Sequence, residues 1–442
     1  MGGTNGEAGA RARLLALFDT AVAAAHPDVC LPAHLPAPPN GGRLIIVGAG
    51  KAAAAMTAVA ERHYRLLGVL DRVSGFAMAP HGALEALQGE RPKELSVVSA
   101  RHPTPDASGV EAAERTLALV RTATADDLVL VLLSGGASSL WPAPAAGLDL
   151  PAKMALTRGL LKSGADIYEM NTVRRHISRI KGGRLRKVTS ARMLTLAISD
   201  VPGDDPATIG SGPTVPDATT LAEALAILDR RAPRMQALGL DIPDVVHAIL
   251  SDPTNETPKP DDPVFASAEY RIIATPAGSL AAAALEAAAA GYEVTTLGDS
   301  VTGEAREVAR AHAKMALEAR AAGRKVAILS GGELEVTVRN PNGRGGRSQE
   351  YALSLAIVLA DTLGIAALAA DTDGIDGGEG QVTDPAGAVV DGHTASGSRL
   401  AEAQKYLDNN DATSFFESAG GLIVRGPTHT NVNDFRAILV DP

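Results

Sequence analysis

Lys51 stands where a cation is out of place. It follows the apolar run at the start of "LIIVGAGKAAAAM" (44–56), in which Gly48, Gly50 and Ala53 spell G-x-G-x-x-A. The start of a helix carries partial positive charge and free N–H groups, so a lysine there costs roughly 0.3–1 kcal/mol unless an anion offsets it. Lys51 is therefore a candidate phosphate or carboxylate ligand; the alternative is a lysine turned back to solvent. Arg347 repeats the pattern, closing the Gly-rich "NPNGRGGRSQE" (340–350) just before a helical run. Arginine can stabilise charge on a transferring phosphoryl group. "SGGASS" (134–139) follows a strongly apolar stretch. Gly135 and Gly136 let a ligand approach the backbone, and Ser134, Ser138 and Ser139 supply hydroxyls, a composition suited to cradling phosphate. "SGGE" (330–333) is a similar loop that adds Glu333.

Charge gathers in three further places. "MNTVRRHISRIKGGRL" (170–185) reads as a helix with Asn171 as its N-cap, Val173, Ile177 and Ile180 on the core face, and Gly182 or Gly183 as the stop. Residues 174–187 hold eight cationic or titratable basic groups in an acidic chain. Arg175 and Lys181 are thus candidates for an anion pocket, against the plainer reading of a solvated basic helix. Asp200 ends a buried run and opens "SDVPGDDPATIGSGPTVPD" (199–217), a long loop of the kind that often carries function. It is the best-placed carboxylate for a general base or for Mg²⁺, which typically takes one or two carboxylates plus substrate phosphates. "DTDGIDGG" (371–378) offers Asp373 as a second metal contact, or as part of a structural Asp-Gly turn.

These residues need a scaffold that presents loops at strand ends. Continuous apolar runs (43–50, 72–80, 94–100, 127–133, 193–198) alternate with Ala- and Leu-rich helical runs, and a second such series begins at 270. That pattern predicts α/β architecture, two α/β domains with largely parallel sheets covered by helices on both faces. The proline-rich "SDPTNETPKPDDP" (251–263) reads as a linker, which sets the domains at 1–250 and 251–442. Whether the last run, 436–440, rejoins the first domain is left open. With a net charge of -10 the chain is not a general nucleic-acid binder. Its single cysteine, Cys30, excludes an internal disulfide framework and fits a reducing compartment. No apolar window reaches the ~18 residues a membrane helix needs, and the stretch 14–25, interrupted by Asp19, reads as a surface helix rather than a signal peptide. A cytoplasmic protein without membrane or nucleic-acid partners is expected.

A nicotinamide cofactor would require an Asp or Glu about 20 residues beyond the glycines, at the end of the second strand. "RVSGFAMAP" (72–80) ends in Pro80 instead, with His81 after it. The Walker pattern also fails, because Ala52 follows Lys51.

Taken in order along nearly the whole chain, "VGAGKAAAAM", "RHPTPD" (101–106), "LLSGGASSL", "MNTVRRHISRIKGGRL", "ISDVPGDDPATIGSGPT", "GRGGRSQE", "DTDGIDG" and "GPTHTNVND" (426–434) resemble the bacterial glycerate 2-kinases, the MOFRL-containing group. The resemblance implies ATP- and Mg²⁺-dependent phosphorylation of D-glycerate at its 2-hydroxyl, in a cleft between two α/β domains. It implies active-site roles for Lys51 and Arg347, and site positions at Ser211, Thr214, Thr430 and Asn431. Small-molecule substrate and nucleotide are the implied partners; a homodimer is one open possibility. Ser348 and His429 depart from the Asn and Gly of the family pattern. Some members carry the label hydroxypyruvate reductase, so NAD(P)H-dependent reduction of hydroxypyruvate is the alternative activity.

Overall fold

Six of the apolar runs become strands of one sheet: β1 (Leu44–Ala49), β2 (Val73–Pro80), β3 (Ser96–Ala100), β4 (Leu128–Leu133), β5 (Arg192–Ile198) and β6 (Ala268–Ala274). The strand order is β3-β2-β1-β4-β5-β6. β1 pairs in parallel with both β2 and β4, Leu44 lying opposite Val73 and Leu128. β1 and β4 are buried along their whole lengths, which explains why they read as unbroken apolar runs rather than as alternation. The order reverses between β1 and β4, the switch point at which open α/β sheets bind ligands. The structure, a computed structural model, describes residues 3–87, 91–378 and 381–442, with side chains from residue 9 onward. No single helix among the described residues is long and apolar enough to cross a membrane.

The second sheet differs from the parallel arrangement expected for it. Its strands are β7 (Glu293–Thr296), β8 (Val326–Ser330), β9 (Ile365–Asp371), β10 (Gly387–Asp391), β11 (Leu422–Ile423) and β12 (Asp434–Val440), in the order β11-β10-β9-β12-β8-β7. Only β7 and β8 run parallel; β12 lies antiparallel to both β8 and β9, and β10 is antiparallel to β9 and β11. β8, β9 and β12 are central and buried on both faces, so an apolar run could not reveal their direction.

The chain divides into two units, Leu31–Ile273 and Met1–Cys30 together with Ala274–Pro442. The boundary thus falls after residue 250, and the first thirty residues group with the C-terminal half. The proline-rich stretch is bound into the first unit: Asp217 N–H donates to the Pro258 carbonyl, Arg186 Nε donates to the Val264 carbonyl, and β6 then adds to the first sheet. Helix Gly3–Ala24 buries Leu14, Leu17, Phe18 and Ala21 against Leu280 and Ala283 of helix Pro276–Ala289. β12 sits inside the second sheet, which answers the question left open for 436–440.

The basic segment also folds differently. Its helix is Ile167–His176, capped by Asp166 rather than Asn171. Asp166 and Glu169 form a reciprocal capping box one turn earlier, which outcompetes Asn171 and leaves it buried mid-helix. Val173, Ile177 and Ile180 are buried as expected, but the helix stops at His176, so Ile177 is its C-cap, Ile180 lies beyond it, and neither Gly182 nor Gly183 ends it. Asp166→Ala is expected to lower stability by about 1 kcal/mol, read from urea unfolding.

Candidate active site

The turns after β1 and β4 interlock. Ser134 N–H donates to the Ala49 carbonyl, Lys51 N–H donates to the Gly135 carbonyl (2.8 Å), and Ala52 N–H donates to Ser134 Oγ (2.9 Å). Gly50 (φ 140°) is required here, since a Cβ would lie 2.1 Å from Ser134 Oγ. Gly48 packs within the sheet, its Cβ direction pointing at Leu132 and Ala77. The amides of Lys51, Ala52 and Ala53, which a pyrophosphate would need, are therefore taken by Gly135, Ser134 and Gly50. Together with Pro80 at the end of β2, this argues against a dinucleotide turn and leaves the Lys51 side chain as the interesting group. The His102 imidazole is pushed down to about 4 by burial and by the nearby Lys51 charge. It stands close to Gly136 (φ 83°), where a Cβ would meet its ring at 2.8 Å.

Beside these turns lies a cavity of about 420 Å³. His102, Gly136, Ser138, Ser139, Lys153 and Lys181 line it, with Arg174 and Arg158 at its border, and no Asp or Glu among the described residues does so. Lys181 Nζ donates to the Ser138 carbonyl (2.6 Å) and to Ser138 Oγ (2.5 Å), and Ser138 Oγ also meets Ser211 Oγ (2.9 Å). Lys153 is 6% exposed, and its Nζ is buried with no hydrogen-bond partner. Burial and the Arg174 charge push Lys153 down to about 7; burial and the charges of Lys153, Arg174 and Arg175 hold Lys181 well below its usual range. Buried cations without a counter-charge are expensive, so this cavity is built for an anion. Of its basic residues, Lys181 is an expected one; His102, Lys153, Arg158 and Arg174 are not. His102 falls within the "RHPTPD" block, but Lys153 sits in helix Leu150–Lys162 with no local signal to distinguish it from a surface lysine.

Other expected residues of this unit have structural partners. Arg175 donates from Nη1 to Asp217 Oδ1 (3.0 Å) and from Nη2 to the Ala207 carbonyl (2.9 Å). It braces the 199–217 loop rather than lining the cavity. Arg175→Ala is expected to cost about 3 kcal/mol, the low end for a broken buried pair because Thr219 and Thr257 still donate to Asp217, as read by urea unfolding. Thr214 Oγ1 accepts from Thr195 Oγ1 in the core (2.8 Å), and Ser139 Oγ donates to the Gly136 carbonyl. Asp200 follows β5 but does not line the cavity; its charge helps push the buried Tyr270 hydroxyl up, after burial and Asp205.

In the second unit, Arg347 begins helix Arg347–Val358 and faces three carboxylates. Nε donates to Asp434 (2.9 Å), Nη2 donates to Asp371 (3.0 Å), and Nη1 lies 3.1 Å from Glu333. Asp434 and Asp371 are directly opposite in the antiparallel β12–β9 pair, where like charges repel. Arg347 bridges them, and Arg436 adds a second cation to Asp434 (3.1 Å). Asp376 accepts from the Ser348 and Gln349 amides, so it caps the helix that follows Arg347. Burial and the Asp434 charge push Asp376 up to about 7. The Gly343–Gly346 loop borders a cavity of about 1020 Å³ with apolar walls (Val336, Leu422, Val424) and a polar rim.

Asp373 Oδ1 accepts from Ile375 N–H, the Asp-turn reading. Asp373 and Asp200 belong to different units, and no group of three or more His, Cys, Asp or Glu side chains among the described residues is placed to hold a metal. Thr430 Oγ1 donates to the Ala25 carbonyl (2.8 Å), and Asn431 Oδ1 accepts from Asn433 N–H (3.3 Å), both bracing their loop. His429 takes φ 63°, a left-handed conformation that explains the Gly of the family pattern at this position. Ser348, in place of Asn, is fully buried and its hydroxyl has no partner.

Residues 13–250 match the model "Domain of unknown function (DUF4147)", and residues 326–434 match the MOFRL family. A chain from Agrobacterium vitis named "Putative hydroxypyruvate reductase" is 45% identical over 98% of this chain and 94% of its own length. A D-glycerate 2-kinase from Thermotoga maritima is 38% identical over 89% of this chain and 90% of its own. The crystal structure of a glycerate kinase from Thermotoga maritima superposes with a TM-score of 0.81 at 35% identity, covering 98% of this chain and 99% of that one. This chain belongs to the glycerate 2-kinase family.

Proposed function

We propose that this protein transfers the terminal phosphoryl group of ATP to the 2-hydroxyl of D-glycerate, giving 2-phospho-D-glycerate and ADP. The observation that carries the reading is the cavity at the switch point, where Lys153, Arg174 and Lys181 converge without a lining carboxylate. Phosphoryl transfer asks a protein chiefly to position its reactants and to neutralise their charge. Lys51 and the three cavity cations supply that charge, and Ser138 and Ser139 supply hydroxyls. His102 stays neutral near pH 7, so it adds a hydrogen-bonding ring without further positive charge. Arg347 would act by exchanging its exposed partner Glu333 for an anionic oxygen while Asp371 and Asp434 hold the guanidinium in place. Mg²⁺ enters this reading with the nucleotide, and no residue here is assigned to it.

The test is incubation of the protein with D-glycerate, ATP and Mg²⁺, coupled through enolase. Signal requires 2-phosphoglycerate, since the 3-phosphate is not an enolase substrate. Silence in this assay with NADH or NADPH consumed on hydroxypyruvate would replace the kinase by the reductase, the activity named for the relative from Agrobacterium vitis.

A further inference from the structure

The cavity described above takes an anion, but its chemistry discriminates between anions. We infer that it holds a phosphate dianion, and that Lys153 is the group that binds it, in preference to the carboxylate of the three-carbon acid. The inference rests on reading this cavity as the anion site of the proposed reaction.

The first support is charge. Lys153, Arg174 and Lys181 meet here, and Arg158 and His102 are the other titratable groups that line the cavity. With Lys153 protonated, the first three residues carry three positive charges, of which a monoanionic carboxylate offsets one and a phosphate dianion two. The second support is donor geometry. Lys181 already spends two of its donors on Ser138, which fixes the ammonium at the cavity wall. Lys153 Nζ is buried with none of its three donors used. A tetrahedral group with three free oxygens can meet Lys153, Lys181 and Arg174 together; a planar carboxylate has two oxygens to share among them. The third support is protonation. With Lys153 held down to about 7, the empty cavity is stable with one lysine neutral. A bound dianion favours the ammonium form, so binding at about pH 8 draws a proton from the buffer onto Lys153 Nζ. A phosphate monoester, with its second pKa of about 6, is already dianionic there, so that proton goes to the protein.

The experiment is titration calorimetry at about pH 8 in two buffers of different ionisation enthalpy, with inorganic phosphate, 2-phospho-D-glycerate, ATP and D-glycerate as separate ligands. Inorganic phosphate is expected to bind wild-type protein with proton uptake. In Lys153→Met its affinity is expected to fall about 10- to 100-fold, the worth of a charge-assisted contact, with the proton uptake lost and D-glycerate affinity unchanged. Competition identifies the source: displacement of phosphate by 2-phospho-D-glycerate places the product's phosphate here, and displacement by ATP alone places the nucleotide's. Either result upholds the site. A thermal melt checks the fold; should Lys153→Met melt early, Arg174→Met carries the affinity part of the test, with a loss of phosphate affinity and unchanged D-glycerate affinity expected. The inference is overturned if phosphate does not bind, if its affinity ignores both substitutions, or if D-glycerate affinity falls in its place. Turnover of D-glycerate and ATP by the same preparation separates the two readings. Lysine-dependent phosphate binding without turnover keeps the site and removes the kinase; turnover with phosphate binding indifferent to Lys153 removes the site alone.

Discussion

Lys51→Met is expected to lower the turnover number for D-glycerate and ATP by about 100- to 1,000-fold, the usual cost of deleting one preorganised charge from a water-excluded site, while the fold stays intact. The Lys51 backbone contributes to the fold independently of the side chain. Its amide donates to the Gly135 carbonyl and locks the β1 turn to the β4 turn, and methionine retains that bond. The side chain is half-buried, so a stability change of about 1 kcal/mol, the centre of the range for point substitutions, is expected from urea unfolding. A second readout reports the charge directly. Burial and Lys51 together hold the His102 imidazole near 4, so removing the ammonium should raise its pKa partway toward the ordinary value, measured by NMR titration. Burial is the larger cause and persists, so full recovery is not expected. Near-normal turnover combined with a raised His102 pKa would show that the lysine's field reaches the imidazole but plays no part in the reaction, and would end its proposed role. Lys51→Arg tests shape as well as charge: a planar fork replaces a compact ammonium, so a partial recovery of rate is expected.

What could be read in the sequence divides by range. The turn positions of Lys51 and Ser134, and of Gly48, Gly50, Gly135 and Gly136 beside them, were legible because their constraint is local: a parallel strand must be followed by a turn and a helix. Val173, Ile177 and Ile180 were legible as buried positions, but not as one helical face: the helix stops at His176, with Ile177 as its C-cap and Ile180 beyond it. Asn171 misled, because Asp166 and Glu169 satisfied the same helix one turn earlier. The setting of Arg347 lay beyond local reading. Its carboxylates come from positions 333, 371 and 434, brought together by antiparallel pairings in which β12 inserts between β8 and β9. Nothing in the five-residue run 436–440 specifies that insertion. The anion cavity is assembled partly the same way: Arg174 and Lys181 lie in the basic run 174–187, but Lys153 sits in an ordinary local context, and only the packing of helices Leu150–Lys162 and Ile167–His176 beside the β4 turn brings it to them.

Arg347→Ala should have the largest combined effect, because the residue holds two buried acids in place and, in the proposed reaction, also faces a reactant. Asp434 and Asp371, 2% and 4% exposed, lie opposite each other across β12 and β9. Burial opposes charge on Arg347, yet Asp434, Asp371 and Glu333 more than compensate and hold the guanidinium above its usual range. Without it, Asp371 loses its bridging cation and Asp434 keeps Arg436 alone. Breaking a buried pair in this way costs about 3–5 kcal/mol, a large share of the roughly 5–15 kcal/mol that stabilises a folded domain. The loss should depend on pH with a defined sign. Burial already raises the Asp434 pKa, with Arg347 working against that rise; deleting Arg347 raises it further. A carboxyl whose folded pKa is raised contributes stability below its unfolded pKa and loses it as pH climbs through the folded value. The gap between wild type and Arg347→Ala should therefore be wider at about pH 8 than at about pH 5, where protonation of Asp434 relieves the variant. Urea unfolding at both values reads it, and a gap that narrows as pH rises would refute the bridging account. Arg347→Lys separates the two duties. One ammonium keeps the charge but cannot span Asp434, Asp371 and Glu333 in the plane of a guanidinium, so it should recover most of the stability and little of the turnover.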